Sequence, residues 1–248
     1  MFPVRDNVPS RTAPVAMWAI IALNVVVFLL QLRLSEEQLL RFVYLFGIVP
    51  RRYTHPEWAQ WVGFPADEYW PFLTMMFLHG GWFHIISNLW TLWIFGDNVE
   101  DRMGPARFLI FYLTCGVISG IAHTASNPTS VTPAIGASGA IAGVLGAYFL
   151  LYPRARIICL VPVLFFPVFI EIPAFFFFLL WFWSQFFSGT LALLSPQEGG
   201  GIAWWAHIGG FLAGIALHRV FLIRQPPRRR LYPDEYGIEG AWPPRRFR

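Results

Sequence analysis

The sequence predicts an all-α, polytopic membrane protein, a bundle of six transmembrane helices. Three observations carry this. Of the 248 residues, 56% are hydrophobic and only 13% are charged, with a mean hydropathy of +0.52. A soluble domain of this length needs more charge to cover its surface. Several apolar runs approach the roughly 20 residues that cross a bilayer, and the ten-residue alternation of a membrane barrel is not visible.

The elements follow in order. Residues 1–13 form a polar N-terminal segment. The first span, Pro14–Leu32, has no small-residue cleavage site, so it reads as a spanning helix and not as a removed signal peptide. Residues 33–81, with charges, prolines and tryptophans, are expected to lie at the interface. The second and third spans are Trp82–Val99 and Ala106–Thr124. A loop, Ala125–Ala137, leads into the fourth, Ser138–Tyr152. The proline-broken stretch Ile157–Glu171 suits an interfacial loop better than a helix. The fifth span is Ile172–Ser188 and the sixth Ile202–Ile223, which closes a membrane domain of residues 14–223. The basic, proline-rich tail, residues 224–248, is expected to be disordered.

All basic side chains are arginine, and their placement sets the orientation. With a cytoplasmic N-terminus, the inner segments hold Arg5, Arg11, Arg102, Arg107, Arg154, Arg156 and seven more in the tail. The outer segments hold only Arg33, Arg41, Arg51 and Arg52. This asymmetry places both termini in the cytoplasm of a multi-pass cell-membrane protein. It also accounts for the isoelectric point of 9.4. Juxtamembrane arginines meet anionic lipid, so membrane lipids and not nucleic acid are the expected partners. Cys115 and Cys159 lie in separate apolar segments and suggest no disulfide framework.

The fourth span is short. Its 15 residues rise about 22 Å, less than a hydrocarbon core of about 30 Å. If it starts deep, a cavity opens above its N-terminus.

Polar residues inside spans are costly and point to function. The second span opens with "WFHIISNLW", the fourth with Ser138, the sixth with "WAHIGGFLAG". In an up-down bundle these even-numbered spans run in one direction, so His84, Asn88, Ser138 and His207 share one membrane face at similar depth. His84 and Asn88, four apart, lie on one helical face. Gly139/Gly143 and Gly210/Gly214 form small faces that let the fourth and sixth helices approach closely. Such an approach brings Ser138 within reach of His207. A serine needs an adjacent base to become a nucleophile, and an acyl-transfer intermediate needs preorganised donors.

The segments "HIISN" (84–88), "GASG" (136–139) and "AHIGG" (206–210), with "LHGGWFH" (78–84) and "VEDRMG" (99–104), resemble those of the rhomboid intramembrane serine proteases, in the same order. The resemblance covers residues 14–223. It implies a six-helix rhomboid-like bundle and a serine endopeptidase with Ser138 as nucleophile and His207 as base. It further implies an oxyanion site of His84, Asn88 and the Ser138 backbone N–H, and single-span transmembrane proteins as substrates, cut near the outer face. No cofactor or metal is implied. Two features depart from the family. Ala142 stands where some members stack a tyrosine on the histidine, so another group must orient His207. Trp70 lacks the arginine that accompanies it in some members.

Other readings are weaker. A catalytically silent member of the same fold that binds client helices leaves the Ser–His pair and its donors without a purpose. A transporter normally shows internal repeats, and none is found. A metalloprotease lacks an HExxH motif and intramembrane acidic partners. His79 is read as a loop anchor, and Glu100 with Arg102 as an ion pair or cap.

Overall fold

In lipid or in a protein core, an apolar run must satisfy its own backbone polar groups, and helices do so. The computed structural model describes residues 2–65, 67–163, 166–194 and 203–223. In chain order the elements are β1 (Phe2–Asp6), α1 (Val15–Gln31), the short helices α2 (Glu36–Phe46), α3 (Pro50–Thr54), α4 (Pro56–Val62) and α5 (Pro71–Thr74), then α6 (Trp82–Met103), α7 (Pro105–Ser126) and α8 (Ser138–Leu151). Strands β2 (Arg156–Val163) and β3 (Phe166–Pro173) precede α9 (Ala174–Leu194) and α10 (Trp204–Phe221). The tail, residues 224–248, and the start of the sixth span lie outside the described residues.

The chain is mostly helical. By length and apolarity, α7 and Ala174–Ala192 of α9 suffice to cross a bilayer; α1 and α8 are apolar but shorter. Large apolar side chains face outward on the peripheral helices, among them Trp18, Leu23 and Val26 of α1 and Phe176, Leu180 and Trp183 of α9. So large an apolar exterior suits lipid contact.

The all-α expectation is corrected by a three-stranded antiparallel sheet of order β1-β2-β3. The stretch read as an interfacial loop is a hairpin, paired from Arg156↔Pro173 to Val163↔Phe166. Its Ile and Val side chains suit a pleated surface. Pro162 pairs with Pro167, so both missing N–H groups fall on one rung.

Acidic side chains at the C-terminal end of α6 hold the N-terminal segment. Pro14, which precedes α1, offers no side-chain cap, leaving helix N–H groups without partners. The Glu100 carboxylate accepts from the N–H of Ala16 (2.9 Å) and Met17 (2.7 Å) instead. Glu100 is therefore a cap supplied by another helix. Asp101 accepts from the N–H of Arg11 and Thr12 and from the Thr12 hydroxyl. Asp6, at the end of β1, accepts from Asn98 Nδ2 (2.9 Å) and from the Tyr148 hydroxyl.

Burial pushes the Asp6 carboxyl up to about 6, against the opposing pull of the Tyr148 hydrogen bond. A carboxyl that holds its proton more firmly folded than unfolded stabilises the fold below its ordinary range. That contribution is lost as pH rises through about 6. Asp6→Asn, which mimics the protonated form, is expected to melt with the wild type near pH 4 and above it near pH 7.5. Melting curves in detergent that stay parallel across this range would contradict the assignment.

Candidate active site

The segment before α8 is held from two sides. Ile48 and Ala134 exchange backbone hydrogen bonds (3.0 and 2.7 Å), and Arg51 N–H donates to Ser130 C=O. Gly136 N–H donates to Met75 C=O at 2.9 Å. The long first loop thereby fixes the entry to α8. Arg52 secures that loop from within: almost fully buried, it donates through Nε and Nη2 to Pro65 C=O and through Nη2 to Glu68 (3.0 Å).

Ser138 is the first residue of α8, where helix N–H groups lack intrahelical acceptors. Its Oγ lies 2.7 Å from His207 Nε2 on α10. Glycine packing produces this contact. A Cβ on Gly210 would strike the carbonyl oxygen of Gly139, and one on Gly214 that of Gly143. The register, 139 with 210 and 143 with 214, makes the two helices parallel with backbone against backbone. Cys115 of α7 fills the other side of Gly143.

His84 and Asn88 on α6 face the same place. Gly136 has φ +126°, a backbone region that favours glycine. A Cβ there would lie 2.7 Å from His84 Nε2 and 3.8 Å from Asn88 Nδ2. Asn88 Nδ2 is buried without a hydrogen-bond partner. Gly80 N–H reaches toward His84 Nδ1 at 3.4 Å, which leaves the ring proton on Nε2, facing Gly136. Two donors thus converge on the space beside Gly136, next to the start of α8. Among the described residues, no group of three or more His, Cys, Asp and Glu could hold a metal ion.

Ala142 is fully buried in the α8–α10 contact, where a Cβ on Gly210 would lie 3.4 Å from its methyl group, and a methyl group has no ring to stack on His207. Two groups the sequence reading passed over surround the imidazole instead. Gln185 of α9 places Oε1 2.7 Å from His207 Nδ1, and the Trp181 ring lies 6.2 Å from the imidazole, centroid to centroid. The available signal was a lone amide, Gln185, within the fifth span just after the aromatic run "AFFFFLLWFW" (174–183). His79 sits outside this cluster. Its backbone is clasped by the Gln31 amide through two hydrogen bonds, while its ring packs edge-on to His84. Burial, with His84 nearby, lowers its pKa to about 4.

The family profile described as "Rhomboid domain" matches residues 66–224. The chain is 45% identical over 80 residues to the rhomboid protease GluP of Bacillus subtilis (strain 168), which covers 32% of this chain and 15% of that protein. It is 31% identical over 155 residues to the mitochondrial presenilin-associated rhomboid-like protein of Mus musculus, and 34% identical over 156 residues to presenilin-associated rhomboid-like protein A of Danio rerio. Each of these two matches covers 58% of this chain and 36% of the relative. The chain thus spans well under half the length of these relatives.

Proposed function

This chain belongs to the rhomboid family of membrane proteins, and from that premise we propose that it is an intramembrane serine endopeptidase. The observation that carries the reading is the 2.7 Å contact between Ser138 Oγ and His207 Nε2, joined by converging donors on α6. In this reading Ser138 Oγ attacks the scissile carbonyl while its proton passes to His207 Nε2. The new oxyanion is held by the Ser138 N–H, Asn88 Nδ2 and His84 Nε2. Collapse expels the amine, which takes the proton from His207, and leaves an acyl-serine. Water, deprotonated by the same imidazole, then releases the second product. The N-terminal end of α8 adds a positive dipole where the negative charge develops.

The membrane setting belongs to the same proposal. The six long helices are read as spans of a domain at residues 14–223, with residues 33–81 at the interface and both termini cytoplasmic in the cell membrane. The arginine distribution supports that orientation. It puts the 14-residue α8 with its N-terminus below the outer surface, so water enters from that side. Substrates are then single-span membrane proteins whose backbone can unwind beside Ser138.

Reconstitution with a panel of single-span proteins, followed by mass spectrometry of new termini, tests the reading. Cleavage near the outer face is expected, and none with Ser138→Ala. Clients that co-purify intact with folded wild type would favour a binding protein without activity. Within an active enzyme, Asn88→Ala and His84→Ala are each expected to lower kcat by about 10²–10³-fold. KM should change little, because these donors act on charge that forms only in the transition state. A loss confined to KM would place the two residues in substrate binding instead.

A further inference from the structure

An imidazole can accept a serine proton at Nε2 only if its own proton resides on Nδ1. Something must hold that tautomer. Ala142 cannot, and no carboxylate contacts the ring among the described residues. The geometry points to Gln185 as the positioning residue that fixes His207 in the Nδ1–H form. This assignment rests on the protease reading above.

Four hydrogen bonds run in one direction. The Ser184 hydroxyl donates to Trp181 C=O at 2.6 Å. Gln185 Nε2 donates to Ser184 Oγ at 3.1 Å. That leaves Gln185 Oε1, an acceptor only, 2.7 Å from His207 Nδ1, which must therefore carry hydrogen. His207 Nε2 is then an open lone pair facing the Ser138 hydroxyl at 2.7 Å. Turning the amide over would set Oε1 against Ser184 Oγ, whose proton is already given to Trp181. It would also present an N–H to Nδ1, drive the ring proton to Nε2, and block the transfer from Ser138.

The position is built for this contact. Phe178, Trp181, Phe182 and Gln185 form one stripe at helical spacing on α9. Trp181 and Phe182 pack on Phe211 of α10 with ring centroids 5.6 and 5.2 Å apart, and Phe178 is fully buried. Gln185, 7% exposed, takes the next inward position at the level of His207. An amide suits the place better than a carboxylate. It orients the ring without burying a charge in an apolar layer, where an ionised side chain is costly. The other titratable groups acting on the ring are His84 and His123.

The test compares wild type, Gln185→Leu and Gln185→Glu in full-length protein in detergent. Readouts are kcat and KM on a cleaved single-span protein, the rate of labelling by a fluorophosphonate, and the pH profile. Leucine keeps the volume and removes the acceptor. It is expected to slow kcat and labelling together by about 10- to 100-fold, with KM within about twofold. Glutamate restores the acceptor. It is expected to recover much of the rate and to move the acid limb of the profile upward by about one unit or more, because its charge favours the imidazolium. A side chain at 185 that does not contact Nδ1 would leave that limb in place. Gln185→Leu as fast as wild type, or Gln185→Glu with an unmoved acid limb, overturns the assignment. If the leucine variant fails to fold, the glutamate profile decides alone. A folded wild type inert to the probe instead sinks the protease reading and this role with it. A reactive wild type with unchanged variants sinks only the role of Gln185.

Discussion

Ser138→Ala and His207→Ala are each expected to abolish proteolysis, with kcat falling by about 10⁴–10⁶-fold and the double variant no worse than either single one. Non-additivity is the informative part. A hydroxyl without its base is a poor nucleophile, and a base without its hydroxyl has nothing to deprotonate, so either loss removes the same step. What survives comes from the donors around Gly136, which still polarise a bound carbonyl. If instead the losses multiplied, the two residues would be acting in separate steps. Folded yield and melting temperature should stay near wild type in both variants. Ser138→Ala removes one hydrogen bond and His207→Ala two, all at half-buried positions and each worth about 1 kcal/mol.

The second large effect concerns packing. Gly210→Val and Gly214→Val are each expected to destroy activity and to cost about 3 kcal/mol or more in stability. The space that a side chain would enter is occupied by the carbonyl oxygens of Gly139 and Gly143. Backbone cannot rotate away as a flexible side chain does, so α10 must withdraw from α8. A withdrawal of even one ångström breaks the 2.7 Å contact between Ser138 and His207. Gly81→Ala is the control. Nothing lies within 4 Å of a Cβ at Gly81, and it should be close to neutral. Thermal unfolding and fluorophosphonate labelling of the three variants check this. Gly214→Val with wild-type stability would mean that the two helices are not in backbone contact.

Much of this arrangement is legible in the chain because its signals are local. His84, Asn88, Ser138 and His207 are polar groups in otherwise apolar runs, and the four-residue glycine spacing marks the faces that meet. The sheet is not legible in the same way. Its strands pair across the chain, Phe2 with Leu160, and its prolines mimic loop punctuation until their shared rung is seen. The grip of Glu100 on α1 joins a carboxylate to N–H groups some 84 positions away, which no periodicity encodes. Gln185 was hidden for another reason. An amide amid aromatic residues has meaning only once the helix is docked and its inward stripe is known.

The central claim is that Ser138 is a nucleophile activated by His207 from the neighbouring helix. The most direct measurement is to treat the folded, full-length protein with a fluorophosphonate and locate the adduct by peptide mass spectrometry. One adduct, on Ser138, is predicted, with labelling lost in His207→Ala although the serine is still present. A folded wild type that takes up no probe, or an adduct on any other residue with Ser138 unmodified, would contradict the account.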